Sequence, residues 1–135
     1  MLDASYAHSD ALYVGTRTGM REIPGEVPAA LSGGVNIKPA DALTLTAQIR
    51  HFARAPLIED DSVESKSTTL LNLDGYWDFG KLTLGAEVFN AFNARNTDNS
   101  YICEPRLASE TAGAENLHTH PEEPRLLRVC VHNKF

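Results

Sequence analysis

The last ten residues, Leu126-Leu127-Arg128-Val129-Cys130-Val131-His132-Asn133-Lys134-Phe135, place Leu127, Val129, Val131 and Phe135 on alternate positions. Successive side chains of an extended strand point to opposite faces, so this segment is predicted to be a strand with one apolar and one mostly polar face. Chain ends usually fray into water. A strand that keeps its period through a final aromatic is expected to be held by neighbours, and the rest of the sequence has to supply them.

It does so repeatedly. Leu82, Leu84, Ala86 and Val88 share one face against Thr83, Gly85 and Glu87. Leu43, Leu45, Ala47 and Ile49 oppose Thr44, Thr46, Gln48 and Arg50, and Leu71, Leu73, Gly75 and Trp77 oppose Asn72, Asp74 and Tyr76. Leu31, Gly33, Val35 and Ile37 repeat the pattern more weakly, and Leu2, Ala4 and Tyr6 begin a further strand. The expected fold class is therefore all-β, with about six antiparallel strands in an up-and-down meander.

Composition does not decide what the apolar faces meet. The chain has 135 residues, 42% hydrophobic and 22% charged, which suits a single ordinary domain. It has no run of about 18 apolar residues for a transmembrane helix, but a barrel wall needs only alternating strands of roughly 9–11 residues. The net charge of −6 and the lack of a Lys/Arg track exclude nucleic acid as an expected partner.

Connection lengths supply a second pattern. Lys38-Pro39-Ala40-Asp41-Ala42 and Asp78-Phe79-Gly80-Lys81 read as tight turns, Pro39 fixing φ and Gly80 free to take positive φ. Between them and around them lie long polar stretches of about 15 residues at 10–24, about 15 at 52–66 and about 29 at 95–123. Outer-membrane barrels join strands by short periplasmic turns at one rim and long extracellular loops at the other. On that plan the chain is a partial transmembrane β-barrel wall. Trp77 and Phe79 then fall at the periplasmic rim, and Phe52, Phe89 and Phe92 near the opposite one, as interfacial aromatic girdles.

The residues Gly85-Ala86-Glu87-Val88-Phe89-Asn90-Ala91-Phe92-Asn93 resemble the Val-Phe-Asn-Leu-Phe-Asn/Asp stretch near the barrel end of TonB-dependent outer-membrane receptors. Ile23-Pro24-Gly25, Leu43 to Phe52 with Pro56 to Asp60, and the run Ser100-Tyr101, Arg106-Leu107, His118-Thr119-His120-Pro121, Glu123-Pro124-Arg125 are similar to the family's late strands and loops. Phe135 matches its terminal aromatic. The resemblance implies energised uptake of a bulky ligand such as a siderophore or cobalamin. It also implies outer-membrane lipid, the rest of the barrel and plug, and the barrel-assembly machinery as partners of Leu127, Val129, Val131 and Phe135, with TonB engaged only through the plug.

Those receptors have about 22 strands around a plug, whereas residues 1–135 supply about six strands, no plug-like segment and no secretory signal at Met1-Leu2-Asp3-Ala4-Ser5. Open sheet edges in hydrocarbon would leave rows of unpaired N–H and C=O groups. The expectation is therefore the C-terminal portion of a receptor barrel, located in the cell outer membrane as part of its parent and not transporting alone. Cys103, Glu104, Cys130 and Asn133 depart from the family's usual residues.

Catalytic chemistry finds no pattern: there is no Gly-x-Ser-x-Gly elbow or Gly-rich phosphate loop, and no enzyme activity or cofactor is expected. His118 and His120, near Glu115, Glu122 and Glu123, are metal candidates because His-x-His on a strand puts both rings on one side, but the preferred reading is rim packing. Glu59, Asp60, Asp61 and Glu64 read as a solvated acidic loop. Glu87 and Arg50 belong to the polar face, which would line a wet lumen. Cys103 and Cys130 are an even pair for an oxidising compartment, one in a loop and one in a strand. The alternative is a small soluble β-barrel or sandwich acting as a binding module, with the same apolar faces buried against each other.

Overall fold

The computed structural model describes residues 1–15, 19–103 and 116–134. Eight strands are present: β1 (Leu2–His8), β2 (Ala29–Ala40), β3 (Leu43–Phe52), β4 (Thr68–Asp78), β5 (Leu82–Phe89), β6 (Thr97–Cys103), β7 (Asn116–Pro121) and β8 (Leu126–Asn133). Six form one antiparallel sheet in the order β1-β2-β3-β4-β5-β8, while β6 and β7 pair as a separate hairpin. The sheet is thus the expected six-stranded meander. It does not close on itself: β1 and β8 stand at opposite edges.

Cross-strand register converts the separate alternations into one surface. Leu2 faces Val35, Val35 faces Ala47, Ala47 faces Leu73, Leu73 faces Val88 and Val88 faces Leu127, a single apolar row crossing all six strands. A parallel row runs Ile37, Leu45, Gly75, Ala86, Val129, and another Leu43, Trp77, Leu84, Val131. The intervening positions make a polar face, with the row Asn36, Thr46, Asp74, Glu87, Arg128. A slip of one residue at any pair would send that strand's apolar side chains to the polar face, so the patterns lock one another.

Among the described residues the apolar face has no second layer. Among the described residues the buried apolar side chains are Ala55 and Leu57, both in a connection above the sheet, whereas Val129 is 69% exposed and Ile37 49%.

Connections are short at one rim. Asp41-Ala42 joins β2 to β3, with an irregular register between Ile37 and Ala40 where Pro39 has no N–H to give the ladder. Phe79-Gly80-Lys81 joins β4 to β5; Gly80 has φ of 84° and its N–H donates to Asp78 Oδ1 at 2.7 Å. Both expected turns are therefore present.

The stretch 95–123, read from the sequence as one long loop, instead contains the β6–β7 hairpin. The reason it escaped detection is its lack of an apolar face: Asn99 lies opposite His120, Ser100 opposite Thr119 and Tyr101 opposite His118, polar groups on both sides of the ribbon. Backbone pairing needs no side-chain period.

Candidate functional site at the long-loop rim

The three long connections meet at the rim opposite the tight turns. The β3–β4 connection is itself a folded-back ribbon. Leu57 N–H donates to Val63 O at 2.8 Å, Ser65 N–H to Ala55 O at 2.8 Å, and Ala55 N–H to Ser65 Oγ at 2.9 Å. Arg54 and Glu64 close its flank at 2.9 Å. At its tip Asp61 takes φ of 59°, and Asp60 Oδ1 accepts from Ser62 N–H at 3.1 Å. That backbone hydrogen bond, followed by one from the Ser62 hydroxyl, holds the Asp60 carboxyl below its ordinary pKa.

The β1–β2 connection lies along this ribbon. Ile23-Pro24-Gly25-Glu26 is a four-residue turn in which Glu26 N–H donates to Ile23 O at 3.1 Å; Pro24 presets φ and Gly25 takes φ of 82°, the requirements of a type II turn. Gly25 N–H then donates to Pro56 O at 2.7 Å and Glu22 N–H to Glu59 O at 3.1 Å. The Glu26 carboxylate accepts from Ala11 N–H at 3.1 and 3.2 Å. These bonds cover Ala55 and Leu57.

A second anchor is the corner after β5. Asn90, 4% exposed, takes φ of 47° and Asn93 φ of 51°, a region Asn tolerates because its short amide bonds locally. Asn90 Nδ2 donates to Ala94 O at 3.0 Å and to Glu123 O at 2.8 Å, and its Oδ1 accepts from Ala94 N–H at 2.8 Å. Its own N–H donates to Asn72 Oδ1 at 3.0 Å, tying the corner to β4. Asn93 Oδ1 accepts from Arg125 N–H at 3.2 Å just before β8. Through its side-chain amide and its own N–H, Asn90 therefore ties together the exit of β5, the entry of β8 and the flank of β4.

The base of the β6–β7 hairpin is closed by Glu122 N–H to Asn96 O at 2.9 Å and tied to the residue before β4 by Asn96 Nδ2 to Ser67 O at 2.7 Å. Two clefts remain between these pieces. One, of about 390 Å³, is lined by Met20, Pro24, Leu57, Ile58, Glu59, Asp60 and Ile102. The other, of about 400 Å³, has Phe52, Leu57 and Leu70 as apolar walls and Lys66, Thr68 and Glu122 among its polar ones.

The residues singled out in the sequence distribute as follows. Leu127, Val129 and Val131 lie on the apolar face of the edge strand β8; Phe135 lies outside the described residues. Trp77 belongs to the apolar face, stacked on Phe79 with centroids 5.5 Å apart, at the short-turn rim. Phe89 and Phe52 occupy positions of the polar face, opposite Leu126 and Thr68, and the Arg128 guanidinium sits 4.8 Å from the Phe89 ring centre. Both rings are at the long-loop rim but do not share the face of Val88, so a girdle on the apolar face draws on neither. Phe92 is exposed in the corner after β5.

Of the acidic group, Glu59 and Asp60 line the first cleft and Glu64 is engaged by Arg54. His118 stacks on Tyr101 at 5.5 Å. No group of three His, Cys, Asp or Glu side chains stands close enough to share a metal ion among the described residues, and Glu115 lies outside them. Glu87 accepts from the Tyr76 hydroxyl and from Arg128 Nη1 at 3.1 Å on the polar face. Cys130 is a free thiol there; of Cys103 only the backbone is described. Arg50 shares that face, opposite Ser32 and Leu70.

No family of known proteins, curated protein or solved structure matches the chain. The Asn90 network was not foreseen as functional, although two asparagines three apart beside an exposed Phe, directly after an alternating strand, are a signal for a left-handed corner.

Proposed function

We propose that the chain is a section of the wall of an outer-membrane β-barrel, in a receptor of the TonB-dependent kind, whose parent takes up a bulky scarce ligand with energy delivered through TonB to a plug. The observation that carries the reading is the apolar face: it is continuous across six registered strands and open, with none of the described residues packed over it as a second layer. Lipid covers such a face without a second protein layer. A strand of ten residues rises about 34 Å, and tilted by about 45° it spans roughly the 25 Å apolar band of such barrels.

Three further features support it. The polar face carries Asp74, Glu87, Arg50 and Arg128, which suits a wet lumen. The rims are unequal, tight turns at one and an interlocked loop layer at the other, matching periplasmic and extracellular ends. The free edges of β1 and β8 are where further strands of a barrel add. The soluble sandwich needs the rows through Val35, Leu73 and Val88 to be buried, and they are open.

The test places a single tryptophan at Ala47 or at Gln48, adjacent in β3 but on opposite faces, in a Trp77→Phe background. The full chain is folded in micelles of a detergent brominated on its acyl chain. Strong quenching at position 47 with weak quenching at 48 is the expected result. Equal quenching at both, or a chain that folds as a monomer in buffer without detergent, refutes the reading.

A further inference from the structure

The cleft of about 400 Å³ lies on the polar side of the sheet, beneath the β3–β4 ribbon and beside the β6–β7 hairpin. Thr68, which lines it, is 5% exposed, and its Oγ1 has no hydrogen-bond partner. A buried hydroxyl without a partner costs free energy that a bound hydrogen-bonding group would recover. Lys66 and Glu122 line the same cleft, and neither is engaged in an ion pair among the described residues. Phe52, Leu57 and Leu70 give the cleft apolar walls, and its other hydroxyls are engaged, Ser65 by Ala55 N–H and Thr97 with Ser100.

A cation and a carboxylate left unspent on one cleft, apolar walls and one buried hydroxyl without a partner specify a complement. It has a negative end, a positive end, an apolar body and a polar group within that body. A polyol has no charges for Lys66 and Glu122, and a simple hydrocarbon has no group for Thr68. A peptide with free ends has all four, and a volume of this size falls in the range of small-molecule sites. We infer that this cleft binds a zwitterionic peptide of two or three residues with apolar side chains, its carboxylate on Lys66, its ammonium on Glu122 and a peptide group on the Thr68 hydroxyl. The inference rests on the receptor reading only in making that peptide an imported ligand; the binding itself does not require it.

The full chain, folded in micelles, is titrated calorimetrically with Ala-Leu-Ala, its C-terminal amide and its N-acetyl form. The free tripeptide is expected to saturate one site. Lys66→Gln and amidation each weaken binding about tenfold, and together no more than either alone, because they remove the same contact. Glu122→Gln and acetylation behave likewise. Thr68→Val weakens binding several-fold while leaving the fold at least as stable, since it removes a hydroxyl that has no partner in the free chain. No saturable binding by the folded chain, equal binding of the capped peptides, or equal binding of glucose overturns the inference. If the tryptophan scan alternates and no peptide binds, this inference alone fails; a peptide bound by a chain folded in plain buffer removes the receptor reading instead.

Discussion

Replacing Asn90 by Ala is expected to destabilise the chain more than any other single truncation of a side chain this small. The residue is 4% exposed and its amide makes three hydrogen bonds, to Ala94 O, Glu123 O and from Ala94 N–H. Leaving the Ala94 N–H without its acceptor in a closed corner costs about 1–3 kcal/mol. The two carbonyls lose a donor each but keep a second lone pair and partial access to water, so their share is smaller, about 0.5 kcal/mol apiece. Ala also tolerates φ of 47° less well than Asn, by roughly 1 kcal/mol. The sum is about 3–5 kcal/mol. Two companion variants separate the parts. Asn90→Gly keeps the conformation and loses the bonds, so it should recover roughly 1 kcal/mol relative to Asn90→Ala. Asn90→Asp keeps the acceptor for Ala94 N–H but sets a buried carboxylate against the Ala94 and Glu123 carbonyls, so it should be no milder than Asn90→Ala. Urea unfolding of the chain in detergent micelles, where water still reaches the sheet edges, can be followed by the fluorescence of Trp77, the sole tryptophan. An Asn90→Ala variant within about 0.5 kcal/mol of the parent, or an order in which Gly is worse than Ala, would refute the corner as a structural anchor.

Val129→Arg puts a charge on the apolar face opposite Ala86, one row further from the short-turn rim than Trp77, and should cost roughly 2–4 kcal/mol in lipid, whereas His132→Arg on the polar face should be near neutral. Comparing the folded fractions of the two variants in vesicles checks this, and equal behaviour contradicts the assigned faces. A Cβ at Gly85 would run into Cys130 Sγ and come within 2.8 Å of the Tyr76 ring. Gly85→Val should therefore destabilise by about 1–3 kcal/mol, and Cys130→Ala should relieve part of that loss in a double-mutant cycle. The Asp60 carboxyl is held below its ordinary pKa by Ser62, so its contribution to the loop tip is present above the ordinary carboxylate value and is lost as pH falls through the lowered one. The Ser62 amide shift should follow that titration and become flat in Asp60→Asn.

Strand period is a local property, and it was legible wherever one side of a strand is apolar. Leu82 to Val88 and Leu43 to Ile49 announce themselves residue by residue, and the tight turns follow from Pro39 and Gly80. Parity within a strand also carries the faces of Phe89 and Phe52, which alternate away from Val88 and Ile49, whereas height along the strand sets only the rim at which each ring lies. The β6–β7 hairpin was illegible for the opposite reason, since Ser100, Thr119, His118 and His120 leave neither side apolar.

What the sequence by itself determined is the set of strands, their apolar and polar sides and the inequality of the two rims, because each depends on residues adjacent in the chain. Only the tertiary structure decided that the rows from Leu2 to Leu127 align into one surface and that both sheet edges are open. It likewise decided that Gly25 and Pro56, or Glu22 and Glu59, bond across the loop rim. These are hydrogen bonds between backbone groups far apart in sequence, and every residue carries the same backbone groups. No local pattern of side chains can therefore say which of them will meet.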